Sequence, residues 1–116
     1  MSYNLTYNPT IDISETFYVN NNVLLNGLTN IFAGDLIVDG RVVNTIYNSK
    51  IDVANLVYIN SDLMMDLLLN IYAKDLIVDG SIINSAYNSN LDITDTLFVR
   101  NDFTTNQRMI VRANDL

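Results

Sequence analysis

Asp35-Leu36-Ile37-Val38-Asp39-Gly40 returns unchanged forty residues later as Asp75-Leu76-Ile77-Val78-Asp79-Gly80. Each block sets two aliphatic side chains two positions apart, Leu36 and Val38 or Leu76 and Val78, and closes on Asp-Gly. Period-two apolar placement marks a strand, because successive side chains of an extended backbone point to opposite faces. Asp and Gly tolerate the conformations of a tight corner. The block therefore reads as a short strand running into a turn, and its recurrence makes the chain a repeat protein.

Working outward, residues 11–50 laid over 51–90 give 18 identities in 40 positions without a gap. Asn44, Tyr47, Asn48 and Ser49 recur as Asn84, Tyr87, Asn88 and Ser89. A third copy opens at Leu91-Asp92-Ile93, parallel to Ile11-Asp12-Ile13, and runs to Ala113-Asn114-Asp115-Leu116, which matches Ala33-Gly34-Asp35-Leu36. Asn4, Tyr7 and Asn8 sit one period before Asn44, Tyr47 and Asn48. The expected organisation is one repetitive domain over 1–116: a partial repeat at 1–10, full repeats at 11–50 and 51–90, and a partial repeat at 91–116. No cap is visible, and about four positions, those of Ile37 to Gly40, separate the end phase from the beginning phase. Head-to-tail subunits are expected nearly to continue the pattern.

A weaker period near 20 lies within each 40. Ile11, Ile31, Ile51, Ile71, Leu91 and Val111 are all aliphatic, and Ile13, Ala33, Val53, Ala73, Ile93 and Ala113 follow two residues later. Turn formers such as Asn20-Asn21-Asn22, Asn60-Ser61-Asp62 and Asn101-Asp102 separate the runs. Helix competes at 62–69, where Leu and Met dominate, but the equivalent stretch at 22–29 carries Asn26-Gly27 and makes a poor helix. Copies of one unit share one structure. The fold expected is all-β: a β-solenoid, or β-helix, with coils of about 20 residues in a 40-residue repeat. Nearly six coils stacked at roughly 4.8 Å rise about 28 Å. An intertwined trimeric β-helix, with three chains sharing one interior, fits the same periodicity.

Composition narrows the function. With 49% hydrophobic and 16% charged residues the chain is too apolar for disorder. A net charge of −7 repels a phosphate backbone and disfavours an anionic membrane surface. The chain has neither Cys nor His, so disulfides, thiolate chemistry, the usual transition-metal ligands and the commonest general base near neutral pH are missing. The first nine residues lack the basic start and apolar run of a secretory signal, and no stretch reaches the roughly 18 apolar residues of a membrane span. The expectation is a protein without cofactor, nucleic-acid partner or membrane insertion, and not an enzyme.

Candidate sites follow from the repeat. Alternation turns Tyr18, Tyr58 and Phe98 outward at one recurring position and Ile37 and Ile77 at another, and a soluble monomer rarely displays contiguous apolar patches of several hundred Å². These five, with Leu116, are the candidate assembly interface. Glu15, Asp35, Asn55, Asp75, Asp95 and Asp115 recur at a spacing of 20. Stacked carboxylates could gather Ca²⁺, but no Ca²⁺ loop motif accompanies them, and corner Asp residues bonded to backbone explain them more simply. Asp35 with Asp39, or Asp75 with Asp79, could be a glycosidase pair, yet a catalytic site is unique whereas these recur. The sets Asn44/Tyr47/Asn48 and Asn84/Tyr87/Asn88 could hold a sugar; stacked amides and corner packing are the simpler reading. The six Lys and Arg are scattered and form no patch.

The blocks at 35–40 and 75–80, with Thr-Leu-Phe-Val-Arg-Asn at 96–101, resemble the repetitive β-structured shafts of bacteriophage and large-DNA-virus fibre proteins. The resemblance covers about 100 residues. It implies trimeric β-helices that act as spacers or present an adhesive tip, a virion or extracellular fibre as the location, and a glycan or host surface as a partner. Repeat and resemblance together predict a structural protein whose main partner is itself, as a homo-oligomer, filament or trimer. A solenoid polysaccharide hydrolase or lyase is the remote alternative.

Overall fold

A computed structural model describes residues 3–5, 10–25, 30–44, 49–65, 69–85, 89–105 and 109–114. They form fifteen strands and no helix. Every strand pairing is parallel, which requires a crossover between partners, and here the crossover is the rest of one coil.

The strands fall on three faces. The first carries the opening halves of β2 (Thr10–Val19) and β4 (Asn30–Val38), then β6 (Ser49–Val53), β9 (Leu69–Ala73), β12 (Ser89–Ile93) and β15 (Met109–Arg112). The second carries the closing halves of β2 and β4, then β7 (Leu56–Ile59), β10 (Asp75–Val78) and β13 (Leu97–Val99). The third carries β1 (Tyr3–Leu5), β3 (Val23–Leu25), β5 (Val42–Asn44), β8 (Leu63–Met65), β11 (Ile82–Asn84) and β14 (Phe103–Thr105). Because β2 and β4 run through a corner, the first two faces form one nine-stranded sheet; the third is a six-stranded sheet. The molecule measures 28 × 25 × 20 Å along its principal axes. The all-β solenoid read from the sequence is the fold.

Register explains why the repeat is 40 and not 20. On the first face every step is 20 residues: Ile11 pairs with Ile31, then Ile51, Ile71, Leu91 and Val111. On the second the steps alternate, 19 from Phe17 to Leu36 and 21 from Leu36 to Val57, and again 19 to Leu76 and 21 to Leu97. Val23, Val42, Leu63, Ile82 and Phe103 on the third face keep the same alternation. The cause is a corner of two sizes. Ser14-Glu15-Thr16 separates Ile13 from Phe17, while only Gly34-Asp35 separates Ala33 from Leu36. The missing residue returns between Asn44 and Ile51, six residues against the five between Leu25 and Ile31. Odd and even coils thus differ, and only a pair of them is a true unit.

Within each face, inward side chains alternate with outward ones. Leu25, Ile31, Leu36, Ile51, Ile59, Leu63, Met65, Leu69, Ile71, Leu76, Ile82 and Leu91 are fully buried, each such side chain contributing about 1.5–3 kcal/mol of burial. One chain closes this core by itself, so the interior does not depend on three intertwined chains. Asn44, Ser49, Asn84 and Ser89 also point inward and are buried. The Asn84 amide donates to Thr105 Oγ1 at 2.9 Å, and Ser89 Oγ accepts from the Leu69 amide at 3.3 Å.

At the corner between the second and third faces the coils touch through backbone. Asp79 N donates to Ile59 O at 2.8 Å, Asn101 N to Gly80 O at 3.0 Å, and Asp62 Oδ1 caps Ser81 N at 2.8 Å. A Cβ on Gly80 would stand 2.4 Å from that Oδ1 and 2.6 Å from Ser61 O, and one on Gly40 would meet Asn22 Oδ1 at 2.2 Å. Close approach, not handedness, reserves these positions for glycine. Gly80→Ala is expected to cost about 1–3 kcal/mol, as overpacking does, read as a lowered midpoint in urea unfolding; an unchanged midpoint would mean that the corner is looser than described.

Candidate functional site

The face-two strands put their odd-man-out side chains in one outward line. Tyr18 pairs with Ile37, Ile37 with Tyr58, Tyr58 with Ile77 and Ile77 with Phe98. Five of the six candidate interface residues, which the sequence placed at two separate recurring positions, therefore form a single column; Leu116 lies outside the described residues. Tyr18 and Phe98 are 56% and 44% exposed, and the three between them are half-buried by their neighbours. Bulky rings and smaller isoleucines alternate at about 4.8 Å per step.

Charge is held at the margins of this column and is used internally. Asp35 Oδ1 accepts from Leu56 N at 3.1 Å and Asp75 Oδ1 from Thr96 N at 3.2 Å, so each carboxylate caps the corner of the next coil. At the other margin Asp39 Oδ1 accepts from Asn60 Nδ2 at 3.3 Å, while Asp79 binds the Arg100 guanidinium and accepts from the Tyr58 hydroxyl at 3.4 Å. The Tyr58 phenol is pushed above its ordinary range, by desolvation first and then by the Asp79 charge and hydrogen bond. A proton held more tightly in the folded state makes a contribution that is complete below the ordinary phenol range and is lost as pH rises through the raised value. Asp79→Asn is expected to move Tyr58 ionisation to lower pH in an ultraviolet titration; no movement would remove Asp79 as a cause.

These positions bear on three other candidate sites. Asp75 pairs with Leu56, not with Asn55, and Asp35 Oδ1 likewise accepts from the Leu56 amide, so the spacing of 20 does not stack Asp35, Asn55 and Asp75. The alternating corner offsets them, and no group of three metal-ligating side chains occurs among the described residues. Asp115 lies outside those residues. Asp35 and Asp39 stand at opposite ends of one strand, about 13 Å apart at 3.3 Å per residue, as do Asp75 and Asp79. That exceeds either glycosidase spacing, roughly 5–9.5 Å. Asn44 and Asn84 face the core, 0% and 1% exposed, away from any external sugar, and Met65 separates them in their column. Tyr47, Asn48, Tyr87 and Asn88 lie outside the described residues.

A second outward apolar column went unrecognised in the sequence. Leu24, Val43, Met64 and Ile83 line up on the third face. Comparing coils at a fixed offset of 20 sets Leu24 against Asn44, which hides it; offsets of 19 and 21 would have shown it. The first face is polar outside. Asp12, Phe32, Asp52, Tyr72, Asp92 and Arg112 form its column, and the Lys50 ammonium bridges it, 5.6 Å from the Phe32 ring, 5.4 Å from Tyr72 and 3.8 Å from Asp52.

Among the described residues the faces reach different heights. Val111 on β15 stands one coil above Leu97 and Val99 on β13, and between them opens a cavity of about 370 Å³ lined also by Asn101 and Phe103. Phe103 and Val111 are 39% and 37% exposed there. The chain matches no family model, no curated protein and no solved structure.

Proposed function

We propose that this is a non-enzymatic structural protein that builds a fibre by stacking β-coils end on end. The uniform stacking carries this reading: six aliphatic positions from Ile11 to Val111 pair in parallel, coil on coil, in one register, the contact by which coils of successive chains would stack. A solenoid is stabilised by neighbours on both sides, so adding coils adds stability. Static light scattering across a concentration series tests it. Mass that grows with concentration is the expected result, and a constant monomer mass from micromolar to millimolar would refute it.

The second reading is a trimeric shaft or adhesin segment that binds a host surface or glycan. The face-two column from Tyr18 to Phe98, beside the Leu24 to Ile83 column of face three, favours lateral contact between chains. A fixed trimer mass in the same experiment would select it.

A further inference from the structure

We infer that the first face is a contact surface for a second copy of the chain, docked face to face and antiparallel about a two-fold axis that runs along the strands between the third and fourth coils. The contact is independent of end-to-end stacking. Charge complementarity between the two copies selects it.

The outward column of this face carries one residue per coil: Asp12, Phe32, Asp52, Tyr72, Asp92 and Arg112. Acids occupy the odd coils, and rings or arginine the even ones. With Lys50 and Lys74 the face holds three acidic and three basic side chains, so it is neutral in a chain of net charge −7. Two copies can meet here without net repulsion.

A two-fold axis along the strands sets the first coil against the sixth, the second against the fifth and the third against the fourth, and every contact then occurs twice. Asp12 faces Arg112 of the second copy. Asp52 faces Tyr72, whose phenol is a donor. Lys74 falls opposite Ala54 and beside Asp52, where a cavity of about 240 Å³ lined by Asp52, Ala54 and Tyr72 leaves room for its ammonium. These charges are available. Arg112 reaches Asp92 of its own chain only at 3.9 Å, with its side chain 67% exposed, and among the described residues neither Asp12 nor Lys74 is in an ion pair.

Other placements set like charges together. Sliding one copy by a coil in either direction puts Asp52 against Asp52 or against Asp92, and a parallel pair puts Asp12 on Asp12 and Arg112 on Arg112. Five residues at about 3.3 Å and six coils at about 4.8 Å make a patch of roughly 17 by 29 Å, so two copies bury about 1,000 Å². That is the low end for a specific interface, which makes the dimer a weak one.

The test is a charge swap read by energy transfer between dyes. Asn21→Cys, at an exposed corner away from this face, gives one dye site in a chain without native Cys. Donor-labelled and acceptor-labelled chains, otherwise unaltered, are expected to associate between micromolar and millimolar concentration, less so in high salt. Asp12→Arg mixed with itself, and Arg112→Asp mixed with itself, place like charges at both pairs and should associate about tenfold more weakly. Asp12→Arg mixed with Arg112→Asp sets arginine against aspartate at both pairs and should restore the association. Asp12 and Arg112 lie five coils apart in one chain, so that rescue arises only between chains, and it shows that both variants are folded. End-to-end growth contributes alike to every mixture. No transfer between the otherwise unaltered chains at millimolar concentration, or a mixed pair no tighter than the like pairs, would overturn the proposal.

Discussion

Ile71→Ala is expected to lower the free energy of unfolding by about 3 kcal/mol, within the 2–5 kcal/mol typical of such truncations in a core. Ile71 is 0% exposed and sits in the middle of the first-face column, between Ile51 below and Leu91 above. Closely packed coils collapse little around a lost side chain, so most of the cavity remains. Against a total stability of 5–15 kcal/mol for an ordinary domain, the variant is expected to unfold at a clearly lower urea concentration. Tyr72, its neighbour, points outward and is only half-buried, so Tyr72→Ala should cost less. A strand slipped by one residue would exchange the two faces. If Tyr72→Ala proved the costlier variant, the register described would be wrong.

The second large effect is on assembly. Phe103→Asp combined with Val111→Asp is expected to leave a folded monomer and to abolish growth in light scattering. Both residues are more than one-third exposed at the upper end, so the charges are solvated in the monomer and the cost to folding stays near 1 kcal/mol. A further coil would bury them without partners, and a buried unpaired charge costs several kcal/mol. Tyr18→Asp with Tyr58→Asp separates the two modes of association. Those side chains lie on the flank, so axial growth should survive while lateral bundling is lost. Undiminished growth of the Phe103/Val111 variant would place the contact elsewhere, with the flank the first alternative.

The sequence exposed the architecture because most inward positions are chosen by the same constraint, an aliphatic side chain between two apolar neighbours. Ile11 to Val111 shows it in six successive coils. The leucine-rich stretch at 62–69, open to a helical reading, contains β8 at Leu63–Met65 and the start of β9 at Leu69, because Leu63 and Met65 fill the columns that Val42 and Asn44 occupy below.

Corners were less legible. A one-residue difference between Ser14-Glu15-Thr16 and Gly34-Asp35 leaves the overall period intact, yet it shifts everything that follows until the compensating residue between Asn44 and Ile51. That shift broke the supposed carboxylate column, joined the two apolar sets into one, and concealed Leu24, Val43, Met64 and Ile83.

X-ray fibre diffraction from aligned assemblies of the chain tests end-to-end stacking most directly. The strands lie across the solenoid axis, so axial growth predicts a reflection at about 4.8 Å on the meridian. A 4.8 Å reflection away from the meridian, or a solution of discrete particles with one mass at every concentration, would contradict it.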